Sequence, residues 1–105
     1  MNAVEITVTG PAEWADGCVS ALLDARLIGA AHVLPIRSRY WWQGAVETAE
    51  EVRVMMHTTA QNKSAVCAAA RSSHPYAVCC IISQDLTDVD PDYLQWILTE
   101  TLVRS

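Results

Sequence analysis

The residues best equipped for chemistry lie in HPYAVCCII, residues 74–82, where a histidine, a tyrosine and two adjacent cysteines fall within seven positions. Imidazole and thiolate are soft donors suited to metals such as copper and zinc, and neighbouring thiols also suggest a redox pair. Against both stands a plainer reading, since free cysteine is among the most buried residue types and packs as a small hydrophobe. The run AVCCIIS, 77–83, reads as a short strand, and successive strand side chains point to opposite faces. Cys79 then lies with Ala77 and Ile81, and Cys80 with Val78 and Ile82. On a regular strand the two cannot chelate one ion, and a disulfide between them would be strained. One thiol is expected in the core and the other in a cleft with His74.

His74 precedes Pro75 at the end of an apparent helix, where an imidazole can cap the last carbonyls or ligate. His57 shares a strand face with Glu51, Arg53 and Met55; beside that acid–base pair it would bind an anion, bind a metal or complete a hydrogen bond between subunits. His32, with Leu34 and Ile36 on its face, reads as structural, and so do Cys18 and Cys67 inside helices. Glu47 and Glu51 fall on one strand face and Glu50 on the other, and solvent or a subunit edge is their expected surrounding. The sequence contains no nucleophile elbow, Walker loop, GxGxxG or HExxH, so no enzyme activity is expected.

The elements that must position these groups follow from periodicity. AVEITVTG alternates Val4, Ile6 and Val8 with Glu5, Thr7 and Thr9, the period of a half-buried strand. Gly10-Pro11 opens a helix, with Pro11 at its first position, and Ala15, Val19, Leu22 and Arg26 carry it to about Leu27. From Ala30 to Thr58 the β-branched and aromatic residues alternate about Gln43-Gly44, one long hairpin. Thr58 with Gln61 fits a capping box for a helix over 61–73, which His74-Pro75 ends. Asp90 and Pro91 start a last helix with Leu94, Ile97, Leu98 and Leu102 on one face. The order β-α-β-β-α-β plus a terminal helix predicts an α+β, ferredoxin-like domain with a four-stranded antiparallel sheet, spanning 1–105 as a single unit. Hairpin arms of about 12 residues are twice the usual strand length and would expose Tyr40, Trp41 and Trp42, which predicts a partner subunit.

Composition narrows the function classes. The 105 residues are 51% hydrophobic and 18% charged, which is a folded domain rather than a disordered chain. A net charge of −5 and a single lysine, Lys63, argue against nucleic acid. No apolar run reaches the ~18 residues of a membrane span, and MNAVEITVTG lacks the basic-then-apolar order of a secretory signal. A cytoplasmic location with four reduced thiols is expected.

Along nearly its whole length the chain resembles the CutA family of divalent-cation-tolerance proteins, relatives of the PII signalling proteins. The resemblance is carried by SRYWWQGAVETAEEVRVMMHTT, HPYAVCCII and DYLQWI, and more loosely by RLIGAAHVLPI. It implies a tight homotrimer with hairpins pairing across subunits, tolerance to copper and other divalent metal ions, and no established catalysis. By matching position it places Tyr40, Trp42, His57, His74 and Tyr76 in a ligand-binding cleft between subunits. Three departures bear on chemistry: Ala30 where the family commonly has cysteine, His57 where it has lysine, and Cys79-Cys80 where it has Pro-Glu. The expected metal ligands are Cys79, Cys80 and His74, with copper or another divalent ion as the candidate cofactor. The other expectations are a PII-like signalling scaffold that senses a small anionic ligand through His57 and Arg53, and an assembly role with no ligand.

Overall fold

The apolar alternation of the N-terminal segment forms a central strand, β1 (Ala3–Gly10), in a computed structural model that describes residues 2–101. The sheet order is β2-β3-β1-β4, with β2 spanning Ala30–Trp42, β3 Ala45–Thr59 and β4 Ile81–Leu86. All three pairings are antiparallel. Helices α1 (Ala12–Asp24) and α2 (Lys63–Ser73) pack on one face, where Val4, Ile6, Val8, Val54 and Met56 meet Ala15, Cys18, Leu22, Val66 and Ala70 in a continuous core. Burying each of the larger aliphatic side chains contributes about 1.5–3 kcal/mol. Helix α3 (Pro91–Glu100) lies against the opposite face, because Tyr93 reaches His57, which the register places opposite Glu5 on the side away from that core.

The helix boundaries differ from expectation in instructive ways. Pro11 is the residue before α1 rather than its first, and α1 stops at Asp24 because Arg26 takes a left-handed backbone (φ 60°). Arg26 N–H donates to the Leu23 carbonyl and Leu27 N–H to that of Leu22, both at 3.0 Å. This Schellman closure satisfies two terminal carbonyls and brings buried Leu27 over buried Leu22. The Arg26 guanidinium then spans to Glu100 Oε2 at 2.7 Å. Thr58 caps nothing: it is still in β3, and its hydroxyl donates to the Leu27 carbonyl at 2.6 Å, while a short 3₁₀ turn at Ala60–Asn62 leads into α2. Asp90 does cap α3, accepting from the N–H groups of Asp92 and Tyr93. Ile97 is buried beneath α3 as expected, and Leu102 lies outside the described residues.

Gln43 and Gly44 both have positive φ (51° and 84°), the primed turn that matches the twist of a two-residue hairpin. The hairpin runs past its sheet. Strand β3 pairs with β1 only from Val52 to Thr59, so residues 45–51 pair with β2 alone. At ~3.4 Å per residue that overhang is about 24 Å long, within a molecule of 44 × 25 × 21 Å. It carries Trp41 at 75% exposure with Tyr40, Trp42 and Val46 also exposed.

The expected strand over 77–83 begins at Ile81 instead. Residues 75–80 form an irregular loop whose last ladder bond is Thr9 N–H to the Cys80 carbonyl at 3.3 Å. The alternation that would have forced Cys79 and Cys80 onto opposite faces therefore does not apply to them.

Candidate functional site

The loop over 75–80 is pinned by His74. Its Nδ1 accepts from Tyr76 N–H at 3.1 Å, which leaves Nε2 as the protonated nitrogen, donating to the Thr9 carbonyl at 2.8 Å. The ring is buried, tilted against Trp14 at 4.4 Å and edge-on to Tyr76 at 4.9 Å. Gly10 makes this approach possible: a β-carbon there would lie 2.8 Å from His74 Nε2 and 2.9 Å from Trp14 Cε3. His74 was expected to cap the helix carbonyls or ligate a metal; it instead ties the chain leaving α2 to the end of β1, with both ring nitrogens engaged.

The pinned loop roofs a cavity of about 620 Å³ at the root of the hairpin overhang, lined by Thr9, Tyr40, Trp42, Glu51, Tyr76 and Cys80 among others. This volume lies within the range of small-molecule pockets. Glu51 is only 7% exposed although it belongs to β3 where no third strand covers it. Partial burial, followed by the nearby Glu51 carboxylate, raises the Tyr76 pKa above the usual tyrosine range. Glu51 was expected in solvent or at a subunit edge; its place in the cavity depends on a contact 25 positions away in sequence, for which no local pattern exists.

At the other end of the same face of β3, His57 lies between two partners. Its Nε2 is 2.8 Å from Glu5 Oε2 and its Nδ1 is 2.6 Å from the Tyr93 hydroxyl. Tyr93 stacks on Trp96, and burial followed by the Glu5 charge raises the Tyr93 pKa. His32, exposed on β2, approaches the His57 ring edge-on at 5.4 Å. Thus the five expected cleft residues separate: Tyr40, Trp42 and Tyr76 share the cavity, whereas His57 and His74 line neither it nor one another's surroundings.

The thiols also divide. Cys80 is exposed and faces the cavity, Cys79 is half-buried with its thiol directed at the Tyr76 carbonyl at 3.5 Å, and Cys67 is half-buried in α2. Cys18 is buried in the core, where desolvation raises its pKa. Met56 is fully buried, which removes it from any ligand set. Among the described residues, no three His, Cys, Asp or Glu side chains gather into a group that holds a metal ion.

A split βαβ sandwich with an overlong central hairpin and a third helix on the open face defines the ferredoxin-like class. A model of the CutA1 divalent ion tolerance protein matches residues 3–100, and the chain belongs to that family. The divalent-cation tolerance protein CutA of Pyrococcus horikoshii is 37% identical over 89 residues, covering 85% of this chain and 87% of that protein. The CutA protein of Citrobacter koseri is 32% identical over 91% of this chain and 85% of its own length. The crystal structure of CutA1 from P. horikoshii superposes with a TM-score of 0.90 at 34% identity, covering 94% of this chain and 98% of that one.

Proposed function

We propose that the protein is a cytosolic, non-enzymatic homotrimer that contributes to divalent-cation tolerance, copper above all, by binding the ion through soft side chains. Membership of the divalent-cation-tolerance family over residues 3–100 carries this reading. Assembly is supported by the overhang: a two-stranded ribbon with Trp41, Trp42 and Val46 in water is marginal alone and is stabilised by a neighbour that covers it.

The residues of a single chain do not fit a divalent ion, since His74 is fully engaged and no three-donor group forms among the described residues. A soft monovalent ion suits thiols better, since thiolate selects Cu(I), and Cys79 and Cys80 stand on an irregular loop where strand alternation does not part them. In this reading any third donor comes from an adjacent subunit. Native mass spectrometry of anaerobically purified protein tests both parts: three subunits with bound copper are expected, and copper should be lost in Cys79→Ser/Cys80→Ser. A monomer, or undiminished copper in the double variant, overturns the corresponding part.

The cavity favours a second reading, a scaffold that binds a small organic ligand between Tyr40, Trp42 and Tyr76. It differs from the expected anion sensor in that His57, one of the residues assigned to the anion, is committed to Glu5 and Tyr93.

A further inference from the structure

The geometry points to a small organic cation, an amine flanked by apolar or aromatic groups, as the ligand class of the Tyr40–Trp42–Tyr76 cavity, with the Glu51 carboxylate as its counter-charge. This rests on the scaffold reading of the cavity and adds to it the sign of the ligand's charge.

Four observations carry it. Glu51 is the only carboxylate in the lining, and at 7% exposure it is screened far less than a surface acid. Tyr76 lines the cavity with it, and a carboxylate offers about four acceptor positions, which leaves room for a ligand N–H. The surrounding walls are the aromatic rings Tyr40, Trp42 and Tyr76; the negative face of such rings attracts a cation, most strongly when water is excluded. The register places Glu47 directly opposite Tyr40, adding a second acid on the same side of the hairpin.

The alternatives fit less well. An anion would meet the Glu51 carboxylate, and the lining's one cation, Arg39, stands on an exposed strand position where solvent weakens it. A bare Ca²⁺ needs 6–8 oxygen ligands, whereas the side chains of the lining offer one carboxylate and the hydroxyls of Thr9, Ser38, Tyr40 and Tyr76. A soft ion would be drawn to Cys80, which leaves the aromatic walls without a role. An ammonium uses the walls and the acid together.

Cys80 lies in the same lining and reports occupancy. Alkylation of Cys80 by iodoacetamide, an uncharged reagent, is followed by mass spectrometry in a full-length Cys79→Ser background. The probes are three molecules of similar size: phenethylamine (cationic), 2-phenylethanol (neutral) and 3-phenylpropionate (anionic). Phenethylamine is expected to slow alkylation saturably while the other two do not. Its binding should weaken about tenfold in Glu51→Gln and in Tyr40→Leu, the loss expected for one charge partner or one cation–π wall. Tyr40→Leu changes an exposed side chain, so it remains informative if Glu51→Gln unfolds. Equal or better protection by the alcohol or the anion overturns the cation assignment and leaves the scaffold reading standing. Protection by none of the three overturns both.

Discussion

One face of β3 is built to two different finishes. At its C-terminal end His57 is closed on both sides, by Glu5 and by Tyr93 from α3. At its centre Glu51 lies beside Tyr76 and opens into the cavity. Both places hold an ionisable group, half-buried or buried, next to a tyrosine. They differ in what covers them: a regular helix anchored by the Asp90 cap, or a six-residue loop held by one imidazole. A packed helix satisfies polar groups and ends their chemistry, whereas a pinned loop holds them in place while leaving room for a visitor.

The comparison breaks most severely if the pin is removed. His74→Ala should cost about 2–4 kcal/mol, because it leaves the Thr9 carbonyl and Tyr76 N–H without their bonds and empties a buried site. Chemical denaturation measures the loss, and Cys79 and Cys80 should both alkylate faster as the loop lifts. An unchanged midpoint would show that the loop holds without its imidazole. At the closed end, His57→Leu strands Glu5 and the Tyr93 hydroxyl and should cost about 1–3 kcal/mol while leaving Cys80 alkylation unaltered. If Cys80 responds, the two ends are not independent.

A smaller effect is expected from Tyr76→Phe, which removes only the hydroxyl near Glu51. About 1 kcal/mol or less should be lost, since the Tyr76 side chain is itself exposed. Thiol reactivity in the unaltered protein sharpens the same contrast: Cys80 should react first, Cys79 and Cys67 later, and Cys18 only on unfolding, as its burial and raised pKa both suppress thiolate. The smallest effect is alkaline. Tyr76 and Tyr93 hold their protons more tightly folded than unfolded, so the folded form binds more protons above about pH 10 and stability falls as pH rises through that range. Below the unfolded value this contribution is fully present. Tyr93→Phe and Tyr76→Phe should each flatten the decline in a pH series of melting temperatures.

The local signals in the sequence translated well. Gln43-Gly44 marked the middle of the hairpin, Asp90-Pro91 a capped helix start and His74-Pro75 a helix stop, each because the residue types involved dictate backbone conformation with their immediate neighbours. Arg26 misled because a left-handed arginine leaves no compositional trace; the apolar spacing simply ran on to Leu27. The cysteines misled because Ala77 to Ile82 is as apolar as a strand, while its backbone is diverted by His74 toward a carbonyl 65 positions earlier. Thr58 was read as a cap because its spacing to Gln61 is right, yet its hydroxyl already serves the Leu27 carbonyl. The same limit hid Glu51 and the Glu5–His57–Tyr93 chain, whose partners meet only after the sheet has formed. Of the five residues that family resemblance grouped, Tyr40, Trp42 and Tyr76 line one cavity, while His57 and His74 make other contacts.

The unsupported stretch of β3 has a consequence for exchange with solvent. Residues 52–57 sit between β1 and β2, whereas residues 45–51 have β2 alone. A single unbroken strand therefore crosses from a region that opens only with the whole fold to one that opens locally. Backbone amides before Val52 should exchange with deuterium orders of magnitude faster than those after Val54 in an isolated chain. The position of that step along β3, followed as protein concentration rises, would show whether self-association extends the protected region toward Gln43 and Gly44.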